Sequence, residues 1–195
     1  MRASVRAGAV LTVLALSAGC ASPRTGGTSP YAPQAEADRD GDKARRLNAE
    51  GAKLIDSDPK KAEALLRESL TADLFNGAAH NNLGVLYLKQ GKLFEAAGEF
   101  EWARKLLPGM PDPRLNLALT LERAGRTDEA LATYATALEV YPDHLPTLEA
   151  LALLQVKSGK TDQRTRHMLE EIAMRGESER WRDWARGQMA KAREP

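Results

Sequence analysis

The sequence predicts an all-α fold, a short solenoid of stacked helix–turn–helix units, and three observations predict it. Residue types recur at a stride of 34: Leu83, Leu117 and Leu151; Gly91, Gly125 and Gly159; Ala96 and Ala130; Ala103 and Ala137; Pro108 and Pro142. The Gly and Pro columns fall at breaks between apolar helical patterns, which an uninterrupted heptad repeat does not allow. Composition agrees. The chain is rich in alanine, with 43% apolar but only 5% aromatic residues, which suits close-packed helices better than a β-sandwich or a disordered chain. At 195 residues it has room for one domain or one short array.

The charge balance removes some function classes at the outset. Lys plus Arg is 28 against 27 Asp plus Glu, so no global basic field exists to hold nucleic acid. One Cys forbids a disulfide within the chain, and one Cys with three His leaves little for a zinc cluster.

The first element is a leader, not part of the fold. Arg2 and Arg6 give it a positive start, and an uncharged stretch from Ala7 to Ala18 follows. Those twelve residues are too few to span a bilayer, which needs about 20 in a helix. The anatomy is that of a signal peptide over residues 1–19. The segment Leu16-Ser17-Ala18-Gly19-Cys20 resembles the lipobox of bacterial lipoproteins, although Ser17 stands where that pattern favours Leu. The resemblance implies that Cys20 receives a diacylglycerol, that the chain is cut before it, and that the new amine is acylated. Ala21 in the next position resembles the sorting pattern for the outer membrane, which implies a lipid-anchored, periplasm-facing protein. The alternative is an ordinary secretory signal with an incidental Cys. Multiple acyl chains would hold far better than one, at about 0.8 kcal/mol per buried CH₂.

Residues 20–42 come next, the acylated Cys and a tether. Residues 21–42 hold three Pro, three Gly and no aliphatic side chain larger than Ala, so they cannot bury enough surface to order themselves. Fully extended they reach at most about 70 Å, at about 3.3–3.6 Å per residue.

The array is expected over 43–178, in units 43–76, 77–110, 111–144 and 145–178. In the second unit Leu83, Gly84 and Tyr87 lie on a first helix that Gly91 stops in a left-handed conformation. Leu93, Ala96, Ala97, Phe100 and Ala103 line a second helix that ends at Pro108. Small Gly84 and Ala96 let the two helices approach, while Tyr87 and Phe100 fill the space beside them. The third unit repeats this with Leu117, Ala118, Leu121, Gly125, Ala130, Tyr134, Ala137 and Pro142, and its second helix opens Thr127-Asp128-Glu129, with Thr127 expected as the cap. The first unit keeps Gly51, Leu54, Ala62, Leu66 and Ser69, with Asp58 and Pro59 as cap and first helical residue. The fourth keeps its first helix but has Arg164, Met168 and Glu171 in its second. Residues 179–195 then read as a last helix with Trp181, Trp184, Ala185, Gln188 and Met189 on or near one face. A cap over the open end is the leading expectation, and an interfacial membrane helix or a partner-docking helix are the alternatives.

These columns resemble the tetratricopeptide repeat. The 77–110 unit matches every strong position of the pattern except the leading Trp, where His80 stands; 111–144 has Arg114 there. The resemblance implies a right-handed superhelix (α-solenoid) of about 3.5–4 repeats plus the capping helix. It also implies a concave groove, lined by the first helices, that takes peptides or helices. The family's groove positions fall here on Asn81, Val85 and Leu88, on Leu115, Leu119 and Glu122, and on Glu149, Leu153 and Val156, with Asn48, Ala52 and Ile55 from the first unit. For each apolar position, ligand contact and plain core remain equal alternatives. The subtype that grips C-terminal carboxylates needs basic groove residues where Leu115, Asn116 and Glu149 stand, so an apolar or amphipathic protein segment is the expected ligand.

Catalysis has little to stand on. His80, His144 and His167 share no metal spacing, Gly26-Gly27 opens no helix, and Glu170-Glu171 reads as a solvated face. No enzyme, cofactor or metal is expected. The expected role is a lipid-anchored adaptor that binds protein partners in the bacterial envelope and assists assembly of a pilus or secretion (secretin) complex. A scaffold for peptidoglycan enzymes, a self-associating structural protein and a periplasmic chaperone are the alternatives. Oligomeric state is not legible in the sequence.

Overall fold

The computed structural model describes residues 39–191. The expected signal peptide, the lipidation site Cys20 and most of the expected tether lie outside the described residues, as do 192–195. Among the described residues there are nine helices and no strand: α1 (Gly41–Leu54), α2 (Pro59–Ala72), α3 (Gly77–Lys89), α4 (Leu93–Leu106), α5 (Asp112–Arg123), α6 (Thr127–Val140), α7 (Leu145–Ser158), α8 (Gln163–Arg175) and α9 (Glu179–Lys191). They form an all-α solenoid. Each odd-numbered helix up to α7 pairs with the helix that follows it, and each pair packs on the next through α2–α3, α4–α5 and α6–α7. The first helices α1, α3, α5 and α7 lie side by side, and α9 packs on α8 as the terminal helix.

Local chemistry explains most of the boundaries. Gly91, Gly125 and Gly159 have φ of 74°, 76° and 68°, a left-handed conformation that only glycine adopts without strain. Each ends a first helix and turns the chain into the second. In the first unit Asp58 accepts the Lys61 amide at 3.1 Å, and Pro59 opens α2. Asp162 accepts the Thr165 amide at 2.8 Å while the Thr165 hydroxyl accepts the Asp162 amide at 2.9 Å, which closes a capping box at the start of α8.

Two expectations about boundaries are corrected. The expected tether ran to residue 42, but α1 begins at Gly41, because Asp40 accepts the Lys43 amide at 2.9 Å and caps it. Thr127 is the first residue of α6 rather than its cap. Arg126 occupies the cap position with no side-chain cap bond, and its guanidinium instead pairs with Glu129 in the first turn.

The core is a column of small residues facing large ones. A Cβ at Gly84 would lie 2.7 Å from Cε1 of Phe100, so α3 and α4 approach at a distance that only glycine permits. Gly51 plays the same part toward Leu66, whose Cγ would lie 2.9 Å from an added Cβ. Further along, Ala118 and Tyr134, then Ala152 and Met168, occupy the same columns and are buried. His80, at the position of the family's leading Trp, is fully buried: Nδ1 lies 2.7 Å from Glu99 Oε2, Nε2 lies 3.0 Å from the Leu74 carbonyl, and the ring stacks on Trp102. On α9, Ala185 is buried against the array, and Trp181 and Trp184 are half-buried in an edge-to-face pair with centroids 5.3 Å apart.

Candidate functional site

The first helices place side chains at i, i+4 and i+7 or i+8 on one face, so α3, α5 and α7 present three parallel rows. The structure divides the nine expected groove residues. Asn81, Val85, Leu119, Glu122, Leu153 and Val156 are half-exposed, as are Asn48 and Ala52 of the first unit. Leu88 and Leu115 are buried, and so is Ile55. For these three the alternative between ligand contact and core resolves to core.

Glu149 needs a larger correction. It is 3% exposed, and its Oε1 accepts the Glu177 amide at 2.9 Å. The carboxylate therefore fastens the link between α8 and α9 instead of facing a ligand. Burial pushes its pKa above the usual carboxylate value, the nearby Glu177 charge adds to that, and the Glu177 amide opposes it. Glu122 remains half-exposed, but its Oε2 accepts the Tyr134 hydroxyl at 3.0 Å. Burial and the Glu122 charge raise the Tyr134 pKa, so the hydroxyl stays a donor.

Asparagines tie the rows together. Asn82 donates to Asn48 Oδ1 at 2.8 Å and Asn116 donates to Asn81 Oδ1 at 3.1 Å, which links α1 to α3 and α3 to α5. Arg123 donates to the Leu88 carbonyl at 3.2 Å, at the far ends of α5 and α3. Asn48 and Asn82 sit one stride apart, a signal in the sequence that could have revealed the ladder. What remains open is an apolar strip of Val85, Leu119, Leu153 and Val156, edged by Asn81 and Glu122.

The strip runs into a cavity of about 630 Å³ at the end of the array. Val156 and Leu169 form its apolar part, and Asp162, Arg166, Gln188 and Lys191 its polar part. Reading the groove positions of the repeat missed this cavity, because most of its lining comes from α8 and α9, where the repeat pattern assigns no ligand contacts. Among the described residues, no cluster of three or more His, Cys, Asp or Glu could hold a metal ion, and no helix is long and apolar enough to cross a membrane. The arrangement offers an apolar, amide-rimmed surface suited to a polypeptide segment.

Comparison with known proteins places this geometry in context. Tetratricopeptide-repeat family models match residues 56–111 and 111–154, together about half of the chain. A curated relative from Hordeum vulgare, the probable UDP-N-acetylglucosamine–peptide N-acetylglucosaminyltransferase SPINDLY, is 29% identical over 125 residues, 60% of this chain and 13% of that protein. The chain spans less than a fifth of the length of the curated relatives it matches. Among solved structures, a tetratricopeptide repeat protein from Parabacteroides merdae superposes with a TM-score of 0.62 at 24% identity, over 78% of this chain and 63% of that one. The first such domain of Spaghetti (RPAP3), solved bound to an HSP90 peptide, superposes with a TM-score of 0.59 at 19% identity, over 63% of this chain and 98% of that one.

Proposed function

The chain belongs to the tetratricopeptide-repeat family, and from that premise we infer a protein-binding adaptor with no chemistry of its own, held by lipid at the periplasmic face of a bacterial outer membrane. The observation that carries the binding role is the apolar strip of Val85, Leu119, Leu153 and Val156, which the fold leaves half-exposed on the first-helix face. The part of these apolar side chains that the fold leaves open gains free energy when a partner covers it, about 25 cal/mol per Å² buried. The Spaghetti domain, seen with a peptide, supports this mode of use.

The anchor rests on the run Leu16-Ser17-Ala18-Gly19-Cys20 and on Ala21 after it. An adaptor leashed in this way holds its partner within reach of the membrane, which suits a helper in assembly of a pilus or secretin complex. Two experiments test the reading. Leu119→Lys with Leu153→Lys should abolish partner capture in a crosslinked pull-down from native envelopes, with helicity unchanged; full capture by the helical double variant rejects the strip. Cys20→Ser should move the protein from the membrane to the soluble fraction; continued membrane retention rejects the lipid anchor.

A further inference from the structure

The array ends in a way that the repeat pattern alone does not account for. α9 follows α8 as a fifth first helix would, with its start latched through the Glu177 amide to Glu149 on α7. Arg182 reinforces the turn by donating to the Gly176 carbonyl at 2.8 Å. No second helix follows α9 among the described residues. Toward its other end, Gln188 and Lys191 of α9 face Val156 of α7 and Arg166 and Leu169 of α8 across the cavity of about 630 Å³.

Two properties of that cavity point to its occupant. Val156 belongs both to the open strip and to the cavity, so the two surfaces are continuous. The charges are uneven. Asp162, the one acid in the lining, is engaged by the Thr165 amide at 2.8 Å and the Thr165 hydroxyl at 2.9 Å. Arg166 and Lys191 have no ion-pair partner among the described residues. Two cations with no ion-pair partner among the described residues, beside an apolar floor, complement a carboxylate next to an aliphatic side chain on an extended backbone.

We propose that this cavity is a second docking site, in which an internal acidic peptide segment of the bound partner places an apolar side chain on Val156 and Leu169 and the adjoining carboxylate between Arg166 and Lys191. The inference rests on the adaptor reading, because the segment continues from the first-helix strip. It adds a selection rule: the partner carries an acid beside an aliphatic residue where it leaves the strip. An internal segment fits better than a chain end, because the strip delivers a continuing chain to the cavity.

The test uses the full chain in detergent micelles and a dye-labelled hexapeptide Gly-Ser-Leu-Asp-Ser-Gly, acetylated and amidated so that its only carboxylate is the side chain. Fluorescence anisotropy should show salt-sensitive binding. Affinity should fall at least tenfold with Lys in place of Asp in the peptide, and at least tenfold in Arg166→Glu with Lys191→Glu, whose exposed positions leave the helices intact by circular dichroism. No binding of the probe, or equal affinity in the double variant, overturns the proposal. Probe binding that emerges only after removal of residues 192–195 assigns the cavity to the chain's own tail and overturns it too, as does self-association by light scattering that the double variant abolishes. The two readings fail separately. Loss of partner capture in Leu119→Lys with Leu153→Lys, without any probe binding, sinks the cavity and leaves the adaptor; probe binding with no partner captured by the unaltered protein sinks the adaptor, and with it the partner's segment as occupant, and leaves only an acidic-peptide site.

Discussion

Two glycines in one hairpin should respond oppositely to the same substitution. Gly98 lies on α4 with nothing within 4 Å of an added Cβ, so Gly98→Ala gains only the helix-propensity difference, about 1 kcal/mol of stability. Gly84 lies on α3 opposite the fully buried Phe100, and an added Cβ would meet three ring atoms at 2.7, 2.8 and 3.0 Å. A ring closed in on all sides cannot step aside, and overpacking of this kind costs about 1–3 kcal/mol. Setting that against the same propensity gain leaves Gly84→Ala destabilised by about 1 kcal/mol, roughly 2 kcal/mol below Gly98→Ala. For a chain of this size that separates the two melting temperatures by about 4–8 °C. A third protein removes the ring: in a Phe100→Leu background, Gly84→Ala should reverse sign and stabilise by about 1 kcal/mol. Thermal and urea melts followed by far-UV circular dichroism read all of these, with amide exchange in α3 and α4 as a local check, because repeat arrays need not unfold in one step. If Gly84→Ala stabilised the protein as much as Gly98→Ala, the close approach of α3 and α4 would not be limited by that ring, and the packing argument would fail.

The fold also makes predictions about pH and polar burial. The Glu149 carboxyl is raised in the folded state, so its stabilising contribution is complete below the unfolded value near 4.5 and is lost as pH rises through the raised one. Glu149→Gln keeps an acceptor for the Glu177 amide, and the gain in melting temperature that the unaltered protein shows on acidification should shrink in it; an undiminished gain counts against the assignment. Asp162 has the opposite sign: the Thr165 amide and then its hydroxyl hold the carboxyl low, so its contribution is present above the unfolded value and is lost as pH falls through the lowered one. Asp162→Ala should therefore cost about 1 kcal/mol at neutral pH, by urea titration, and the deficit should close in strong acid. His80→Ala removes the 2.7 Å partner of Glu99 and the ring beneath Trp102, and should cost about 2–4 kcal/mol by the same titration, more than Glu99→Gln.

Much of the molecule was legible before any coordinates. The stride of 34 located the hairpins, because Gly at each left-handed turn and small residues at each close approach are demands that sequence alone can state. The left-handed stop expected at Gly91 is observed. Thr127 was misread because a residue good at capping stood one place after the cap. The backbone leaving Gly125 puts Arg126 there, and local preference yields to the geometry of the turn.

The groove was legible only in outline. A period of 3.6 assigns Leu88, Leu115 and Leu119 to the same side of their helices, but exposure depends on what the next hairpin brings to that side. Leu119 stays half-open, while Leu88 and Leu115 are covered by neighbours that the one-dimensional pattern cannot place. Glu149 shows the same limit more sharply: its partner is an amide 28 residues away, in the turn that closes the last unit. The sequence by itself determined the hairpins, their turns and the small-to-large packing columns, since each depends on contacts within about one repeat. Only the tertiary structure decided which first-helix residues remain open and that α9 leaves a charged cavity beside α7 and α8, because both depend on the separation of side chains from different units.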